Sequence, residues 1–286
     1  MMGRMKDGRP RSLVAIITMV VLSILWTVPT VGLLVTSFRD RVSVARTGWW
    51  TAIVDPLGAG WTMDNYARVF QSTSLGSSLV NSIAVAIPGT VLPIMFAAFA
   101  AYAFTFMKFP GREPLFVIIV ALMVVPIQVA FQPMLNLLGP RGLGISGEFV
   151  AVWLLHTGFG MPLAIYTLRN YMSSLPSSVV ESAKIDGASH FQTFWRLVAP
   201  MSMPAIAAFA TLQFIWVWND LLIAKLFLSG STATVIVDLQ QMLGTQGQGQ
   251  ELLTAGAFVS MVIPMIVFFS LQRFLVRGMT AGSVKG

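Results

Sequence analysis

The sequence predicts an all-α integral membrane protein with six transmembrane helices, and three observations carry that prediction. Of its 286 residues, 56% are hydrophobic and only 10% are charged, whereas soluble domains carry about 25% charged residues. Long apolar runs recur along the whole chain. Basic residues concentrate at the ends of alternate runs, as the positive-inside rule describes. This pattern places both termini in the cytoplasm, and it attributes the net charge of +7 to membrane orientation and not to nucleic-acid binding.

The apolar runs divide the chain into a cytoplasmic N-terminus, one membrane domain and a cytoplasmic tail. Residues 1–12 hold four basic residues. The next run exceeds the about 7–15 apolar residues of a secretory signal and lacks an Ala-x-Ala site, so it is expected to remain as a span. The predicted spans are residues 13–38, 79–106, 115–138, 148–168, 205–228 and 252–275, within a single transmembrane domain of residues 13–277, and residues 278–286 form the tail.

Prolines and neutral polar residues interrupt two of these spans. Pro88 and Pro93 predict a kink or a break in the second span. In the third span, Gln128, Gln132 and Asn136 recur every four residues, which predicts that they share one helix face. Because amide side chains both donate and accept hydrogen bonds, this face suits either a hydroxyl-rich solute or contacts between helices.

The fifth span carries two charged residues in its interior, Asp220 and Lys225. Charges within a membrane are usually paired or functional. Asp220 and its neighbour Asn219 are therefore expected to hydrogen-bond inside the helix bundle, or Asp220 to pair with Lys225, and proton relay by Asp220 is the alternative. His156 in the fourth span is expected to pack in the bundle.

Two of the loops predicted to lie outside the membrane differ in charge. Residues 39–78 contain Arg39 and Arg41, which are exceptions to the charge rule, and a predicted short helix at 62–71. Residues 229–251 form a polar loop without any basic residue.

The longest polar interruption, residues 169–204, is predicted to be cytoplasmic and to contain two short helices. Its central part, Glu181–Pro200, is called the 181–200 segment below. Ser178 with Glu181, and Ser189 with Gln192, have the spacing of capping boxes at helix starts. Gly187 between them suits the left-handed residue that ends a helix. Pro200 and Pro204 are expected to end the second helix.

No catalytic or metal-binding pattern is visible in the sequence. The chain lacks a Gly-x-x-x-x-Gly-Lys phosphate loop, a His-Glu-x-x-His motif and a Gly-x-Ser-x-Gly motif. It has no Cys, and His156 and His190 are not spaced as metal ligands. These absences predict a non-catalytic chain without a metal or cofactor of its own.

The spacing of Glu181, Ala183, Gly187 and Pro200 resembles the EAA loop of ATP-binding-cassette importer permeases. Ser182 and Ala199 depart from the usual Ala and Leu of that pattern. Three further stretches are similar to the carbohydrate-uptake branch, and in particular to the smaller six-helix permease subunit of the maltose importer: Asp186-Gly187-Ala188, Trp218-Asn219-Asp220 and the ending Gly278–Gly286. Gly48-Trp49-Trp50-Thr51 is reminiscent of α-glucoside permeases.

This resemblance implies a non-catalytic subunit of a larger complex in the cytoplasmic membrane of a prokaryote. A second, homologous permease would enclose the sugar path together with this chain, surrounded by membrane lipid. Two ATPase subunits would bind ATP and Mg and dock on a coupling helix between spans four and five. An extracytoplasmic binding protein would deliver the sugar.

The resemblance also assigns residues to these contacts. The ATPase-coupling residues would be Glu181, Ser182, Ala183, Asp186, Gly187, Ala188, Phe191, Leu197 and Pro200. The C-terminal ATPase contact would involve Thr280, Ala281, Gly282 and Lys285. The binding-protein contact would involve Gly244, Gln246, Gly247 and Gln248. The polar span residues named above form the candidate sugar path, which consists of Gln128, Gln132, Asn136, Asn219 and Asp220.

Two other functions compete with sugar import. The first is an importer permease for a different solute, and here a charged solute would require an opposite charge in the path. With Asp220 and Lys225 alone in the span interiors, a neutral polar solute fits better. The second is a stand-alone channel or membrane enzyme, which would need a filter, a metal cluster or a catalytic constellation.

Overall fold

The computed structural model describes residues 13–243 and 249–281, with side chains described as far as Phe274. All regular elements within these ranges are helices, which confirms the all-α prediction there. The chain divides into two compact units, residues 1–73 with 242–258 and residues 74–241 with 259–286.

The helices are distributed over the two units as follows. The first unit contains α1 (Leu13–Ser37), α2 (Arg41–Arg46), α3 (Thr51–Val54), α4 (Asp64–Gln71) and the first residues of α15 (Gln250–Ala281). The second unit contains α5 (Leu75–Phe106), α6 (Arg112–Ala121), α7 (Phe131–Leu138), α8 (Phe149–Met172), α9 (Ser177–Ile185), α10 (His190–Thr193), α11 (Ala199–Met201), α12 (Met203–Trp218), α13 (Leu222–Phe227), α14 (Val235–Gln241) and the rest of α15. Short 3-10 turns occur at Leu122–Val124, Ile127–Ala130 and Gly230–Thr232, and a π turn occurs at Phe194–Val198.

Four of the described helices, α1, α5, α8 and α15, are long and apolar enough to cross a membrane. Two bent pairs of helical segments pass the same test, Arg112–Val124 with Ile127–Leu138 and His190–Met201 with Met203–Trp218. Three of these helices extend several residues beyond the predicted spans, since α5 begins at Leu75, α8 continues to Met172 and α15 continues to Ala281.

In the first unit, Arg39 is a buried structural residue with 1% of its surface exposed. Its guanidinium nitrogens donate to the carbonyl oxygens of Ala59, Thr47, Gly48 and Ser43 and to the Thr47 hydroxyl. A buried charge is tolerated when its polar hydrogens are satisfied. The exception to the charge rule therefore has a local cause, since Arg39 holds together the connection that follows α1.

The first short helix after Arg39 has an ordinary N-cap. Asp40 is the N-cap of α2 and accepts hydrogen bonds from the amides of Val42 and Ser43. Hydrogen bonds from the Ser43 hydroxyl and amide lower the pKa of the Asp40 carboxyl below its ordinary value. The predicted short helix at 62–71 is confirmed by α4.

The second unit is built on the packing of α5, α8 and α12. Small buried residues on α5 let neighbouring backbones approach closely, and they are Ala86, Gly89, Ala97, Ala98 and Ala101. Gly89 illustrates the close approach, since a Cβ there would lie 3.1 Å from Val217 Cγ1 on α12 and 3.4 Å from His156 Cβ on α8.

α5 is one continuous helix, so the break considered at Pro88 and Pro93 does not occur. Each proline lacks the amide that would bond the carbonyl four residues earlier. Trp153 Nε1 on α8 donates to the Ala84 carbonyl at 2.9 Å, four residues before Pro88. Gln213 Nε2 on α12 donates to the Gly89 carbonyl at 3.2 Å, four residues before Pro93. Side chains of two neighbouring helices thus replace the two missing backbone bonds.

The third predicted span is not a straight helix. Its two halves, Arg112–Val124 and Ile127–Leu138, meet at 95°. Val125 at the junction is extended, with φ −74° and ψ 121°, because the ring of Pro126 disfavours a helical conformation in the residue before it.

The fifth predicted span is also divided, and the loop after it contains a helix. α12 ends at Trp218 and α13 begins at Leu222. Within residues 229–251, α14 carries the buried Asp238, whose carboxylate accepts from the hydroxyls of Ser74 at 2.8 Å and Ser78 at 3.1 Å. This contact ties α14 to the beginning of α5.

Candidate functional site

The first helix of the 181–200 region begins differently from the prediction. The N-cap of α9 is Pro176, and no side chain caps it. The predicted capping box of Ser178 and Glu181 was wrong, because Pro176, with φ −61° and ψ 118°, turns the chain into the helix before Ser178 is reached.

The end of α9 follows the prediction for Gly187. This residue has φ +78°, a conformation that glycine adopts without a steric penalty. The Ala188 amide bonds the Ala183 carbonyl at 2.9 Å and the Gly187 amide bonds the Lys184 carbonyl at 3.1 Å, which is the Schellman pattern. The turn has a defined geometry and fixes the angle between the two short helices.

The second predicted capping box is confirmed. The Ser189 hydroxyl accepts from the Gln192 amide, and the Gln192 side chain accepts from the Ser189 amide at 2.9 Å. The helix does not end at Pro200, which lies within α11. It bends by 73° between His190–Met201 and Met203–Trp218, and the π turn before Pro200 is the kind of helix defect that accompanies such bends.

One side of the 181–200 segment is anchored in the core of the second unit. Val180, Phe194, Val198 and Ala199 are buried in one apolar cluster with residues of α5 and α8. The Tyr102 hydroxyl on α5 lies 3.0 Å from His190 Nδ1. The segment is therefore attached to the helices beneath it by both apolar packing and a polar contact.

The opposite side exposes large apolar side chains. Ile185 is 86% exposed, Phe191 66% and Trp195 50%, among the exposed polar residues Glu181 and Asp186. Apolar groups that project together from a polar surface mark a contact surface. Sequence reasoning missed Ile185 and Trp195, because α-helical spacing alone does not show which face is buried.

The other predicted coupling residues fall on both sides of the segment. Ser182, Gly187 and Pro200 are exposed, Ala188 and Leu197 are half-buried, and Ala183 is buried.

The amides predicted to share one helix face lie on two elements. Gln132 and Asn136 belong to α7, and their side chains approach to 3.5 Å. Gln128 lies in the preceding 3-10 turn, so the prediction that all three amides share one helix face was wrong for that residue. All three side chains are exposed in this chain.

Asn219 and Asp220 form the link between α12 and α13. Asn219 Nδ2 donates to the Ile215 carbonyl at 2.8 Å, and the Asp220 carboxylate accepts from the amides of Ile223 and Ala224. Lys225 donates to Gln240 at 3.1 Å instead of pairing with Asp220. Both residues therefore hydrogen-bond to backbone groups three or four residues away, and the Asp220–Lys225 pair does not form.

An apolar cavity of about 640 Å³ lies beside the 95° bend. Its lining includes Leu122, Pro126, Met134, Leu155, Phe159 and Trp216. None of the five candidate path residues lines it. Among the described residues, no group of three or more acidic or His side chains could hold a metal.

Some residues predicted to contact the binding protein or the ATPases lie outside the described residues. Gly244, Gln246, Gly247, Gln248, Gly282 and Lys285 are not among the described residues. Thr280 and Ala281 belong to α15.

Residues 89–281 match the family described as binding-protein-dependent transport system inner membrane component. The chain belongs to this family. It is therefore a multi-helix component of the inner membrane, as its apolar helices indicate.

Named relatives of this inner membrane component are transport permeases. It is 48% identical to the osmoprotective compounds uptake permease protein GgtD of Synechocystis sp., over 94% of this chain and 91% of the relative. It is 38% identical to the alpha-glucoside transport system permease protein AglG of Rhizobium meliloti, over 94% of this chain and 96% of the relative.

A solved structure supports the fold of this inner membrane component. A bacterial ABC transporter involved in the import of the acidic polysaccharide alginate contains a chain that matches with a TM-score of 0.74 and 20% identity, over 96% of this chain and 99% of that chain.

Proposed function

We propose that this chain is the transmembrane permease subunit of an ATP-driven sugar importer, in which it forms half of the translocation path. The family match and the alpha-glucoside and trehalose permeases among its relatives support this function. The structural observation that carries it is the 181–200 segment, which is anchored on one side and exposes Ile185, Phe191 and Trp195 on the other.

The proposed topology has six spans with both termini in the cytoplasm. The four long helices supply four spans, and the two bent pairs supply the other two. The transmembrane domain would cover residues 13–277, between a cytoplasmic N-terminus at 1–12 and a cytoplasmic tail at 278–286. The concentration of basic residues at alternate span ends supports this orientation.

The 181–200 segment would couple the closure of two partner ATPases to alternating access. Those partners would bind ATP and Mg, and this chain would contribute no catalytic group. The Schellman turn at Gly187 and the apolar anchor make the segment rigid enough to transmit a rigid-body movement. α12 follows the segment directly, so a displacement of the docked surface would reach the bent fifth span.

The solute path would lie between this chain and a second, homologous permease. The exposed amides of Gln128, Gln132 and Asn136, with Asn219 and Asp220, would meet sugar hydroxyls there. A binding protein would supply the sugar, and a matching alginate transporter was solved in complex with a periplasmic protein that holds an alginate pentasaccharide. Residues 244–248 would contact that protein, and the tail that contains Thr280, Ala281, Gly282 and Lys285 would contact the ATPases.

A different neutral polar solute is the alternative. The relative at 48% identity takes its name from osmoprotective compounds, which need not be sugars.

The test is ATP hydrolysis by the assembled complex. This chain would be expressed with its partner permease, ATPase and binding protein, and Gly187→Trp would be compared with Gly111→Trp. Both glycines have φ +78°, and an added Cβ would meet nothing within 4 Å at either, so the two substitutions impose a similar backbone strain.

Gly187→Trp is expected to abolish sugar-stimulated hydrolysis by blocking docking, while Gly111→Trp retains it. Equal activity of the two variants would contradict the coupling role, and the failure of the ATPase to associate with the wild type would contradict the importer itself.

A further inference from the structure

A histidine on α8 and a carboxylate in the link between α12 and α13 face each other inside the second unit. His156 on α8 has 7% of its surface exposed. Its Nε2 lies 3.9 Å from Asp220 Oδ2, which is too far for a hydrogen bond. Nε2 has no hydrogen-bond partner in the described part of the chain.

The helices around His156 leave it little freedom to move away. Gly89 packs between His156 and Val217 where α5, α8 and α12 meet. Two more buried polar atoms in these helices, Thr90 Oγ1 and Gln213 Oε1, also lack a partner among the described residues. Buried polar groups in native proteins are nearly always paired, so a group of unpaired ones needs an explanation.

Asp220 lies within 4 Å of His156, and the neighbouring helices offer His156 few other charges. α5 and α12 carry no charged residue. On α13, Lys225 is engaged with Gln240. On α6, Arg112 and Glu113 lie with Arg169 at the other end of α8. The charge state of His156 therefore acts mainly on Asp220.

Asp220 also lies where a movement of α12 would displace it. It occupies the link between α12 and α13 and caps α13 through the amides of Ile223 and Ala224. The other end of α12 begins at the 73° bend after the 181–200 segment. A rotation of α12 about that bend would change the distance from Asp220 to His156.

We propose that His156 is a positioning residue for Asp220, and that their contact closes into a hydrogen-bonded pair in one state of the transport cycle and is open in the state described here. This inference rests on the proposed function. Closure satisfies Nε2 and holds the α12–α13 link in one orientation. An imidazolium strengthens the closed pair, and closure onto the Asp220 carboxylate favours the protonated imidazole, because an opposite charge nearby stabilises a charged group.

The first experiment measures the pH profile of sugar-stimulated ATP hydrolysis by the assembled complex. His156→Gln is expected to lower stimulation by about fivefold or more near the acidic end, the lower limit of typical coupling between sites, and to flatten the profile. The exchange His156→Asp with Asp220→His is expected to restore part of the pH dependence. Thr90→Val, which removes another buried polar group that lacks a partner among the described residues but has no titratable group, is expected to keep the wild-type profile.

The second experiment measures distance directly. The chain has no native Cys, so His156→Cys with Asp220→Cys introduces a single pair. Its rate of disulfide formation is expected to differ by about fivefold or more between nucleotide-free and ATP-trapped complexes.

Equal cross-linking rates in both states, with an unaltered pH profile for His156→Gln, would overturn the inference. The proposed function would stand if the wild-type complex responds to sugar. A wild-type complex that ignores sugar-loaded binding protein would overturn both.

Discussion

Two charged residues, Arg39 in the first unit and Asp220 in the second, illustrate two ways of placing charge inside an apolar chain. Arg39 is buried, and each of its guanidinium nitrogens donates to a neutral oxygen of its own unit. Asp220 accepts two backbone amides yet stands 3.9 Å from a histidine nitrogen that has no partner in the described chain. The difference indicates that a fully satisfied charge serves the fold, whereas a partly satisfied charge retains freedom for function.

The largest expected effect is the loss of Arg39. Arg39→Leu leaves the carbonyl groups of Ala59 and Thr47 without their donor, whereas the carbonyls of Ser43 and Gly48 keep bonds from Thr47 and Thr51. Each buried unsatisfied group costs about 1–3 kcal/mol. We expect the free energy of unfolding to fall by about 3 kcal/mol or more, measured by denaturation in detergent. Arg39→Lys is expected to rescue little, because an ammonium lacks the planar fork of donors. Arg41→Gln, at the exposed neighbour, is the control. An equal loss of the free energy of unfolding in that variant would show that the buried hydrogen bonds of Arg39 have no special structural role.

A smaller effect is expected where side chains replace the amides missing at prolines. Trp153→Phe removes the donor to the Ala84 carbonyl and is expected to cost about 1–3 kcal/mol. Pro88→Ala restores a backbone amide for the same carbonyl, so adding it to Trp153→Phe should recover part of the loss. If the effects of Trp153→Phe and Pro88→Ala on thermal unfolding were simply additive, the Ala84 carbonyl would not be the acceptor for both the Trp153 side chain and the restored amide.

The smallest effect on stability is expected at Asp220. Asp220→Asn keeps an oxygen that can cap α13, so the free energy of unfolding should change by less than about 1 kcal/mol. Sugar-stimulated hydrolysis should fall far more than this stability change explains. A loss of stability comparable with that of Arg39→Leu, with normal stimulation per folded complex, would show that Asp220 is as structural as Arg39.

Most of the 181–200 segment could be predicted because its signals are local. Gly187 and the Ser189–Gln192 capping box act within a few residues of chain, and both were predicted correctly. The Ser178–Glu181 box was wrong because Pro176 had already started the helix. The exposed Ile185 and Trp195 were missed because exposure depends on what covers the opposite side.

The positions of the polar residues proposed for the solute path were less predictable, because two helix breaks move them. The four-residue spacing from Gln128 to Asn136 assumes one continuous helix, and Pro126 bends that span by 95° just before Gln128. The residues Asn219 and Asp220 were expected within a helix, and they instead form the link that separates α12 from α13.

By itself, the sequence determined that this is a membrane-embedded helical chain, approximately where its long apolar helices lie, and where Gly187 ends α9. Composition and short-range spacing suffice for these features, because they depend on transfer of side chains to an apolar solvent and on bonds between near neighbours. Only the tertiary structure decided that Pro88 and Pro93 leave α5 intact, that Arg39 is buried and that His156 faces Asp220. Each of these depends on a donor or acceptor that a distant part of the chain brings within about 3–4 Å, and no local pattern specifies that distance.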